Sequence, residues 1–242
     1  MKIESITNSK VKVWYKLKKK KYRDLYQLYI IEEKHLIEEA LKNGVVESLI
    51  YIDENEFDFE ESYQVNEEIM RKLSFNTSLN NYLAICKKNE LYPKSFDRIL
   101  ILDNIQDPGN LGTIIRSARS FNFDCIYLSN NSVDLYNNKT IQATQGAFMD
   151  FPIIRSDISK IIHKLKEENI YVVATYLESS IDMEDLKAKE KMAFVMGNEG
   201  RGISKDILKL CDVNIKIRMS DFESLNVAIA SSIIMYKFNK VA

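Results

Sequence analysis

Three polar stretches in the second half of the sequence hold the residues whose types and spacing could do chemistry. They read DPGNLGTIIR at 107–116, MGNEGRGIS at 196–204 and IRMSDFESLNVA at 217–228. Glycine is scarce, with 7 in the 242-residue chain, and it concentrates in the first two stretches. Glycines let a ligand approach the backbone, and Asn, Glu and Arg beside them can orient a phosphate or nucleotide. Taken singly, each stretch is explained more simply as an ordinary capped turn.

Part of this pattern has a purely structural explanation. Asp107 can cap a helix that begins with proline, and no function is needed to explain that pair. Ser224 can cap the last helix, which places Asn226 in its first turn. Capping does not explain Asn110 or Arg116, which lies six residues later. Both are expected near the start of one helix. MGNEGRGIS lacks the Lys-Ser/Thr pair of a P-loop and the glycine spacing of a dinucleotide fingerprint.

The elements that must position these stretches alternate between strand and helix. After residue 97, the segments RILILD, CIYLS, YVVATY, MAFVMG and VNIKI read as strands. The segments LGTIIRSARSF, SDISKIIHKLKEEN, SKDILKLC and SLNVAIASSIIMYKF read as helices. This alternation predicts an α/β fold with a parallel sheet, in which ligands bind beyond the carboxyl ends of the strands. The polar stretches occupy such loops.

The sequence before residue 97 is organised differently. Residues 11–42 read mostly as helix, with a stop at Gly44. They are followed by a strand (VVESLIYID), a short helix (VNEEIMRKLS) and another strand (YLAICKK). The polar segment 89–97 then precedes a new apolar run. We therefore predict two domains, a small N-terminal α/β domain at residues 1–94 and a parallel-sheet domain at residues 95–242.

Positive charge is concentrated at the N-terminal end. The chain has a net charge of −1, but residues 1–23 hold nine basic residues and one acidic residue, a net charge of +8. This asymmetry suggests a polyanion partner, and the aromatic residues at 14, 15, 22 and 26 suit stacking on unpaired bases. The alternative is a solvated helix whose aromatic side chains face the core. The candidate RNA-binding residues are Lys18, Lys19, Lys20, Lys21 and Arg23.

Composition and residue usage argue against several other classes. The sequence has no apolar run near the roughly 18 residues that span a bilayer, and its start does not resemble a signal peptide. We therefore expect a cytoplasmic protein. The three cysteines are far apart and are expected to be reduced core residues. The only histidines, His35 and His163, lie in helical patterns, which disfavours a metal site or a Ser-His-Asp triad.

Together and in this order, the three polar stretches resemble the motifs of the SpoU family of RNA 2′-O-ribose methyltransferases, within the SPOUT superfamily. The resemblance runs over residues 98–240. It continues more loosely into NSKVKVWYKLKKKKYRDLYQLYIIEEKHLIEEAL, which looks like the family's substrate-binding domain. It implies S-adenosylmethionine as cofactor, methyl transfer to a ribose 2′-hydroxyl, a homodimer and a C-terminal trefoil knot. Ribosomal RNA is the favoured substrate, with transfer RNA as the alternative.

The resemblance also implies roles for individual residues. The catalytic set falls on Asn110, Arg116, Glu199, Ser224 and Asn226. The cofactor pocket falls on Gly197, Ile217, Met219 and Leu225. No metal is implied. Where the third motif of the family usually has proline, this chain has Arg218, which would leave the cofactor loop freer.

A mechanism follows from the chemistry of these side chains. A guanidinium has a pKa above about 12, so we expect Arg116 to grip a phosphate and stabilise the developing alkoxide rather than act as a base. Asn110, Ser224 and Asn226 would orient the ribose and the cofactor. Glu199 would hold Arg116 or another loop group, or simply brace its loop. Two other classes stay open, a non-catalytic RNA-binding protein on this fold and an unrelated nucleotide-binding enzyme.

Overall fold

The computed structural model of the chain describes residues 1–220 and 224–240; residues 221–223, within the third polar stretch, lie outside them. The chain divides into two compact units, which we call the N-terminal and the C-terminal unit. The N-terminal unit comprises Met1–Asn89 and Tyr136–Met149, and the C-terminal unit comprises Glu90–Leu135 and Asp150–Ala242. The division after Asn89 falls in the polar segment at 89–97.

Aromatic packing joins the segment 136–149 to the N-terminal unit. The ring centroids of Tyr136 and Phe148 lie 4.8 Å and 5.7 Å from that of Tyr29. A contact between residues more than a hundred positions apart leaves no local pattern in the sequence. The predicted bounds, 1–94 and 95–242, therefore group this segment differently from the compact units.

The helices and strands are mostly short. In the first part of the chain they are β1 (Lys2–Ile3), α1 (Ser9–Lys16), α2 (Lys20–Tyr26), β2 (Leu28–Ile31), α3 (Lys34–Lys42), β3 (Val46–Tyr51), β4 (Ser62–Val65), α4 (Glu67–Leu73) and β5 (Tyr82–Lys87). They continue with β6 (Arg98–Leu102), α5 (Pro108–Ser120), β7 (Cys125–Ser129), α6 (Asn138–Thr144), β8 (Ile153–Ser156), α7 (Ile158–Glu167), β9 (Tyr171–Thr175), β10 (Ile181–Asp182), β11 (Met192–Met196), α8 (Lys205–Leu208), β12 (Val213–Lys216) and α9 (Val227–Lys237). Within residues 1–220 and 224–240, no helix has the length and apolar character needed to cross a membrane.

The N-terminal unit is built on a five-stranded sheet of order β1-β4-β3-β5-β2. The prediction of helix through most of residues 11–42 is wrong at β2. Gln27 ends α2 in the left-handed conformation, with φ of 55°, and Leu28–Ile31 then pairs antiparallel with β5. Four consecutive apolar residues fit a buried strand and a turn of buried helix equally well, so pairing with β5 decides between them.

The C-terminal unit confirms the predicted parallel α/β fold. Its seven strands are ordered β10-β12-β9-β11-β6-β7-β8, and every neighbouring pair is parallel. β6, β7 and β11 are buried at every residue, as expected for strands covered on both faces. β11 lies between β9 and β6, so the loops that leave these three strands are neighbours at one edge of the sheet.

Two helices, α5 and α9, begin beside these loops with capped first turns. Asp107 caps α5 by accepting a hydrogen bond from the N–H of Asn110 at 2.7 Å, with proline in the first turn, as predicted. Asn226 caps α9 by accepting from the N–H groups two and three residues ahead, at 2.9 Å and 3.3 Å. The prediction that Ser224 caps this helix is wrong. Both residue types can cap, and Asn226 is the one whose side chain reaches the first free N–H groups.

The three cysteines are free thiols, as predicted. Cys86 and Cys125 are buried and Cys211 is half-buried. Burial raises the pKa of Cys125 and of Cys211 to about 12, and it also raises the pKa of Cys86. These groups therefore stay protonated at neutral pH and act as packing residues rather than as nucleophiles.

Candidate active site

The first two polar stretches meet at the carboxylate of Glu199. Its oxygens accept hydrogen bonds from the backbone N–H groups of Gln106 and Asp107, at 3.2 Å and 3.1 Å, and from Asn110 Nδ2 at 3.2 Å. These donors lie immediately before and within the first turn of α5, where the helix dipole favours a negative charge. The loop after β11 is therefore fastened to the start of α5 by several charge-assisted hydrogen bonds.

The amide of Asn110 extends this connection to the third stretch. Asn226 Nδ2 donates to Asn110 Oδ1 at 3.0 Å, while Asn226 Oδ1 caps α9. Asn110 thus donates to Glu199 and accepts from Asn226, which defines the orientation of its amide. Three of the five predicted catalytic residues form one hydrogen-bonded chain, which we call the Glu199–Asn110–Asn226 chain.

Hydrogen bonding also determines the charge state of Glu199. Partial burial alone would raise the pKa of its carboxyl group. Backbone N–H groups of Glu199, Asp107 and Gln106, together with the amide of Asn110, outweigh burial and lower the pKa below its ordinary value. The carboxylate is therefore ionised at neutral pH and is a weak base, so it serves as an anionic brace for the loops.

The loop that carries Glu199 folds back on itself at Gly197. Asn198 and Gly202 exchange two backbone hydrogen bonds, of 3.0 Å and 2.9 Å. A Cβ atom at position 197 would lie 2.2 Å from the carbonyl carbon of Gly202, closer than any side chain can come to a backbone atom. Glycine at 197 is therefore required by the close approach of two chain segments within the protein.

A cavity of about 540 Å³ opens beside this loop in the C-terminal unit. All four predicted cofactor-binding residues line it, together with three of the predicted catalytic residues. They are Gly197, Ile217, Met219 and Leu225, with Glu199, Ser224 and Asn226. The described parts of the chain contain no group of three or more His, Cys, Asp or Glu side chains that could hold a metal ion.

One wall of this cavity was not predicted from the sequence. Thr175, the last residue of β9, and residues 176–178, which follow it, line the cavity as well. They show no glycine cluster or run of polar residues. The available signal was their position at the carboxyl end of a predicted parallel strand, next to the strand that leads into Gly197.

Arg116 lies apart from the other predicted catalytic residues. It is the ninth of the thirteen residues of α5, so the expectation that it lies near the helix start is wrong. Its side chain is exposed, and it is not among the residues that line the cavity. Glu199 bonds to the loop and to Asn110, and within the described ranges it makes no bond to Arg116. Of its expected partners, Glu199 therefore holds other loop groups rather than Arg116, and in doing so it braces the loops.

Arg218, which stands where the family usually has proline, is held by an ion pair. Its Nε donates to Asp182 Oδ2 at 2.6 Å. The Asp182 side chain is only 9% exposed and lies on β10, whose neighbour β12 leads into the loop of Ile217 and Met219. Burial would raise the pKa of Asp182, but the hydrogen bond from Arg218, the backbone N–H of Glu184 and the nearby positive charges together outweigh burial and lower the pKa. The side chain of Arg218 therefore restrains the loop that we expected to be freer.

The predicted RNA-binding residues of the N-terminal unit divide into two groups. Arg23 is 6% exposed and donates to the carbonyl oxygens of Leu17 and Lys18, at 2.8 Å and 3.0 Å, so it supports the fold. Lys18 is half-buried and donates to the carbonyl oxygen of Ser74. The lysines at 19, 20 and 21 are exposed. These three lysines are the surface cations of the predicted set, and Lys20 among them forms an ion pair with Asp24.

The chemistry of Glu199 predicts a pH-dependent loss of stability in Glu199→Gln. The variant keeps the size of the side chain but loses the charge that the N–H donors face. We expect it to be less stable than wild type by about 1 kcal/mol at pH 7, a small value because the carboxylate is exposed. A group with a lowered pKa stabilises the fold above its unfolded pKa, so the difference should shrink as the pH falls below about 4.5 and vanish once the pH is below the lowered pKa of the folded state.

Urea unfolding followed by circular dichroism measures this difference, because the single tryptophan, Trp14, reports only on the N-terminal unit. Glu190→Gln, at an exposed glutamate of the C-terminal unit, is the matched control and should show little change at either pH. A Glu199→Gln variant that is equally destabilised at pH 7 and at acid pH would contradict the charged brace.

The ion pair of Arg218 predicts different outcomes for two substitutions. Arg218→Ala should weaken affinity for S-adenosylmethionine, the cofactor that the resemblance implies, by about two- to fivefold, the usual range for an exposed ion pair. Arg218→Pro should retain affinity, because the ring restrains the backbone directly. Calorimetry measures both, with Lys209→Ala as an exposed control. Two outcomes would show that the ion pair does not restrain the loop. One is wild-type S-adenosylmethionine affinity in Arg218→Ala, and the other is a loss of affinity in Arg218→Pro alone.

Known proteins resemble this chain over both units. The SpoU rRNA Methylase family matches residues 97–236, and the MRM3-like substrate binding domain matches residues 8–84. The 23S rRNA (guanosine(2553)-2′-O)-methyltransferase RlmP of Bacillus subtilis is 34% identical over 97% of each chain.

Solved structures agree with this match. An AdoMet-bound rRNA methyltransferase from Sinorhizobium meliloti superposes with a TM-score of 0.86 at 26% identity, over 98% of this chain and 96% of that one. A putative RNA methyltransferase of the TrmH family from Porphyromonas gingivalis gives 0.86 at 25% identity, over 98% and 100%. The resemblance inferred from the three polar stretches is confirmed: the chain belongs to the SpoU rRNA methylase family.

Proposed function

We propose that this protein transfers a methyl group from S-adenosylmethionine to a ribose 2′-hydroxyl of ribosomal RNA. The observation that carries the proposal is the Glu199–Asn110–Asn226 chain, two members of which line a cavity at the carboxyl edge of a parallel sheet. The Bacillus subtilis relative, similar over nearly its whole length, is by its name a 2′-O-methyltransferase of 23S rRNA. Transfer RNA is the alternative substrate.

The cavity has the chemistry that the cofactor needs. Its volume lies within the range of small-molecule sites, and Ile215, Ile217 and Met219 give it an apolar wall suited to a purine ring. The tight turn at Gly197 brings backbone close to the cavity without a side chain. When bound there, S-adenosylmethionine supplies a methyl group that is already activated by its positively charged sulfur.

The protein contributes orientation rather than a strong base. Each asparagine amide has two N–H hydrogens, and the Glu199–Asn110–Asn226 chain uses one from Asn110 and one from Asn226. The remaining hydrogens can bind ribose oxygens in a fixed geometry, which alone can accelerate a bimolecular transfer strongly. Glu199 keeps both loops in place as an anion. Ser224 lines the same cavity and adds a hydroxyl that can donate or accept.

The homodimer is a further part of the proposal, and the outer surface of α5 and α9 supports it. The two helices pack together, with Ser117 Oγ 2.9 Å from Ser232 Oγ. On the outer face of α9, Ile229 is 54% exposed and Tyr236 is 71% exposed. They are seven residues apart and so share one face. Large apolar side chains grouped in this way favour a contact with a second copy about a two-fold axis.

Arg116 gains a role in this dimer. It is exposed on α5 and does not line the cavity of its own chain. We infer that it enters the cavity of the partner, where its permanent charge meets an RNA phosphate and the developing alkoxide. The trefoil knot is proposed together with the dimer, on the resemblance alone. Since ribosomal RNA is the substrate class, we place the enzyme in the cytoplasm.

Cofactor binding and ribose methylation test the function directly. We expect micromolar S-adenosylmethionine binding with EDTA present, and one ribose methylation of ribosomal RNA that disappears when the gene product is removed. Asn226→Ala should lower turnover by about 10²- to 10³-fold, as for loss of a positioned donor. Asn130→Ala, at an exposed asparagine after β7, is the control.

Three results discriminate between the alternatives. Methylation confined to transfer RNA would show that transfer RNA, rather than ribosomal RNA, is the substrate. RNA binding without cofactor binding would favour a non-catalytic RNA-binding protein. Tight binding of NAD or ATP, with no affinity for S-adenosylmethionine, would indicate an unrelated nucleotide-binding enzyme.

Mixing two inactive variants tests whether Arg116 acts across the dimer. Arg116→Ala should bind the cofactor normally, and both Arg116→Ala and Asn226→Ala should lose about 10²- to 10³-fold in turnover. After subunit exchange, half of the dimers contain one chain of each variant, and each such dimer has one complete site. We expect about a quarter of wild-type activity. Light scattering should give twice the chain mass of 28.2 kDa. A mixture as inactive as its components would place Arg116 in the cavity of its own chain.

A further inference from the structure

Two exposed aromatic rings in the N-terminal unit lie around one ammonium group. Tyr15, on α1, is 46% exposed, and Phe75, just after α4, is 36% exposed. Lys18 Nζ is 5.6 Å from the ring centroid of Tyr15 and 5.4 Å from that of Phe75. Lys72 Nζ lies 5.4 Å from the ring of Tyr15. We call these four side chains the Tyr15–Phe75 surface.

Buried hydrogen bonds hold this surface in place. Lys18 donates to the carbonyl oxygen of Ser74, which precedes Phe75. The carboxylate of Glu32, in a residue only 4% exposed, accepts from the backbone N–H of Phe75. It also accepts from the hydroxyl of Ser74 at 3.3 Å and from Asn80 Nδ2 at 3.0 Å. The loop after α4 is therefore fixed, and a ligand that stacks on its ring needs to order little of the protein.

The surface suits a nucleic acid with unpaired bases. Aromatic faces bind bases by stacking, while lysines beside them meet the adjacent phosphates. The exposed lysines at 19–21 follow directly in the sequence and extend the positive charge. A paired A-form duplex has its base faces stacked inside, so it can use the lysines but not the rings. Trp14 shows the contrast, because it is 3% exposed and packs against Tyr63 in the core.

We propose that the Tyr15–Phe75 surface stacks an unpaired base of the RNA substrate, with Lys72 and the exposed lysines at 19–21 meeting its phosphates. The inference rests on the proposed function for the identity of the ligand. It deepens that function, because it makes the N-terminal unit a reader of single-stranded or looped RNA rather than of duplex. It also separates two contributions to affinity, one from stacking and one from charge.

Fluorescence anisotropy with two probes tests this proposal on the full chain. The probes are a short uridine oligonucleotide and an RNA duplex of the same length. Tyr15→Leu and Phe75→Leu should each weaken single-strand binding by about 5- to 100-fold and leave duplex binding unchanged. The dependence on salt should keep its slope, because rings release no counterions. Replacing Lys19, Lys20 and Lys21 by Ala should flatten that slope by about 2 for the single strand.

The control is Tyr92→Leu, at a tyrosine that is 72% exposed and lies in the C-terminal unit, and it should change neither probe. Wild-type binding by both ring variants, or equal losses on single strand and duplex, would overturn the proposal. A change in dimer mass would also overturn it, since the rings would then serve a protein contact. S-adenosylmethionine affinity and RNA methylation, measured on the same variants, report on the proposed function separately. Ring variants that bind RNA, bind the cofactor and methylate RNA as wild type does would overturn the stacking proposal and leave the proposed function intact.

Discussion

The hydrogen bonds accepted by the negatively charged Glu199 carboxylate are the interactions that hold the polar loops of the C-terminal unit in place. The strands β6 and β11 are hydrogen-bonded neighbours, so their outgoing loops are brought together by the sheet. Adjacency alone leaves the backbone N–H groups of Gln106 and Asp107, just before α5, without an acceptor, and Glu199 supplies one. Asn110 is then oriented by Glu199, and Asn226 by Asn110. A single anion thus organises residues from three distant parts of the chain.

Two different restraints flank the cavity. On one side, the approach of Gly197 to the backbone of Gly202 excludes every side chain larger than hydrogen at that position. On the other side, Arg218 holds its loop through Asp182. The first restraint is steric and independent of conditions. The second is electrostatic, so it weakens with salt.

Local patterns were sufficient to predict the alternating strands, the parallel sheet and the Asp107 cap, because these depend on neighbouring residues. The residues around the cavity were predicted by resemblance, and the structure brings most of them together. Two of the errors have a physical origin in long-range contacts. β2 is a strand because β5 pairs with it, and Tyr136 joins the N-terminal unit through Tyr29. Arg23 differs, because its buried side chain donates to carbonyl groups only five and six residues earlier in the chain. The wall after β9 escaped notice because its residue types are ordinary.

The Glu199–Asn110–Asn226 chain also bears on the order of folding. Its two bonds join residues 89 and 116 positions apart, so closing them requires long stretches of chain to be ordered first. Non-local closure of this kind carries a large entropy cost and comes late in folding. Asn226, a member of this hydrogen-bonded chain, also caps α9. The wall of the cavity therefore forms only when α9, the final helix, docks. During synthesis, a partly folded chain would therefore expose basic surface to RNA before it possesses a site able to modify it.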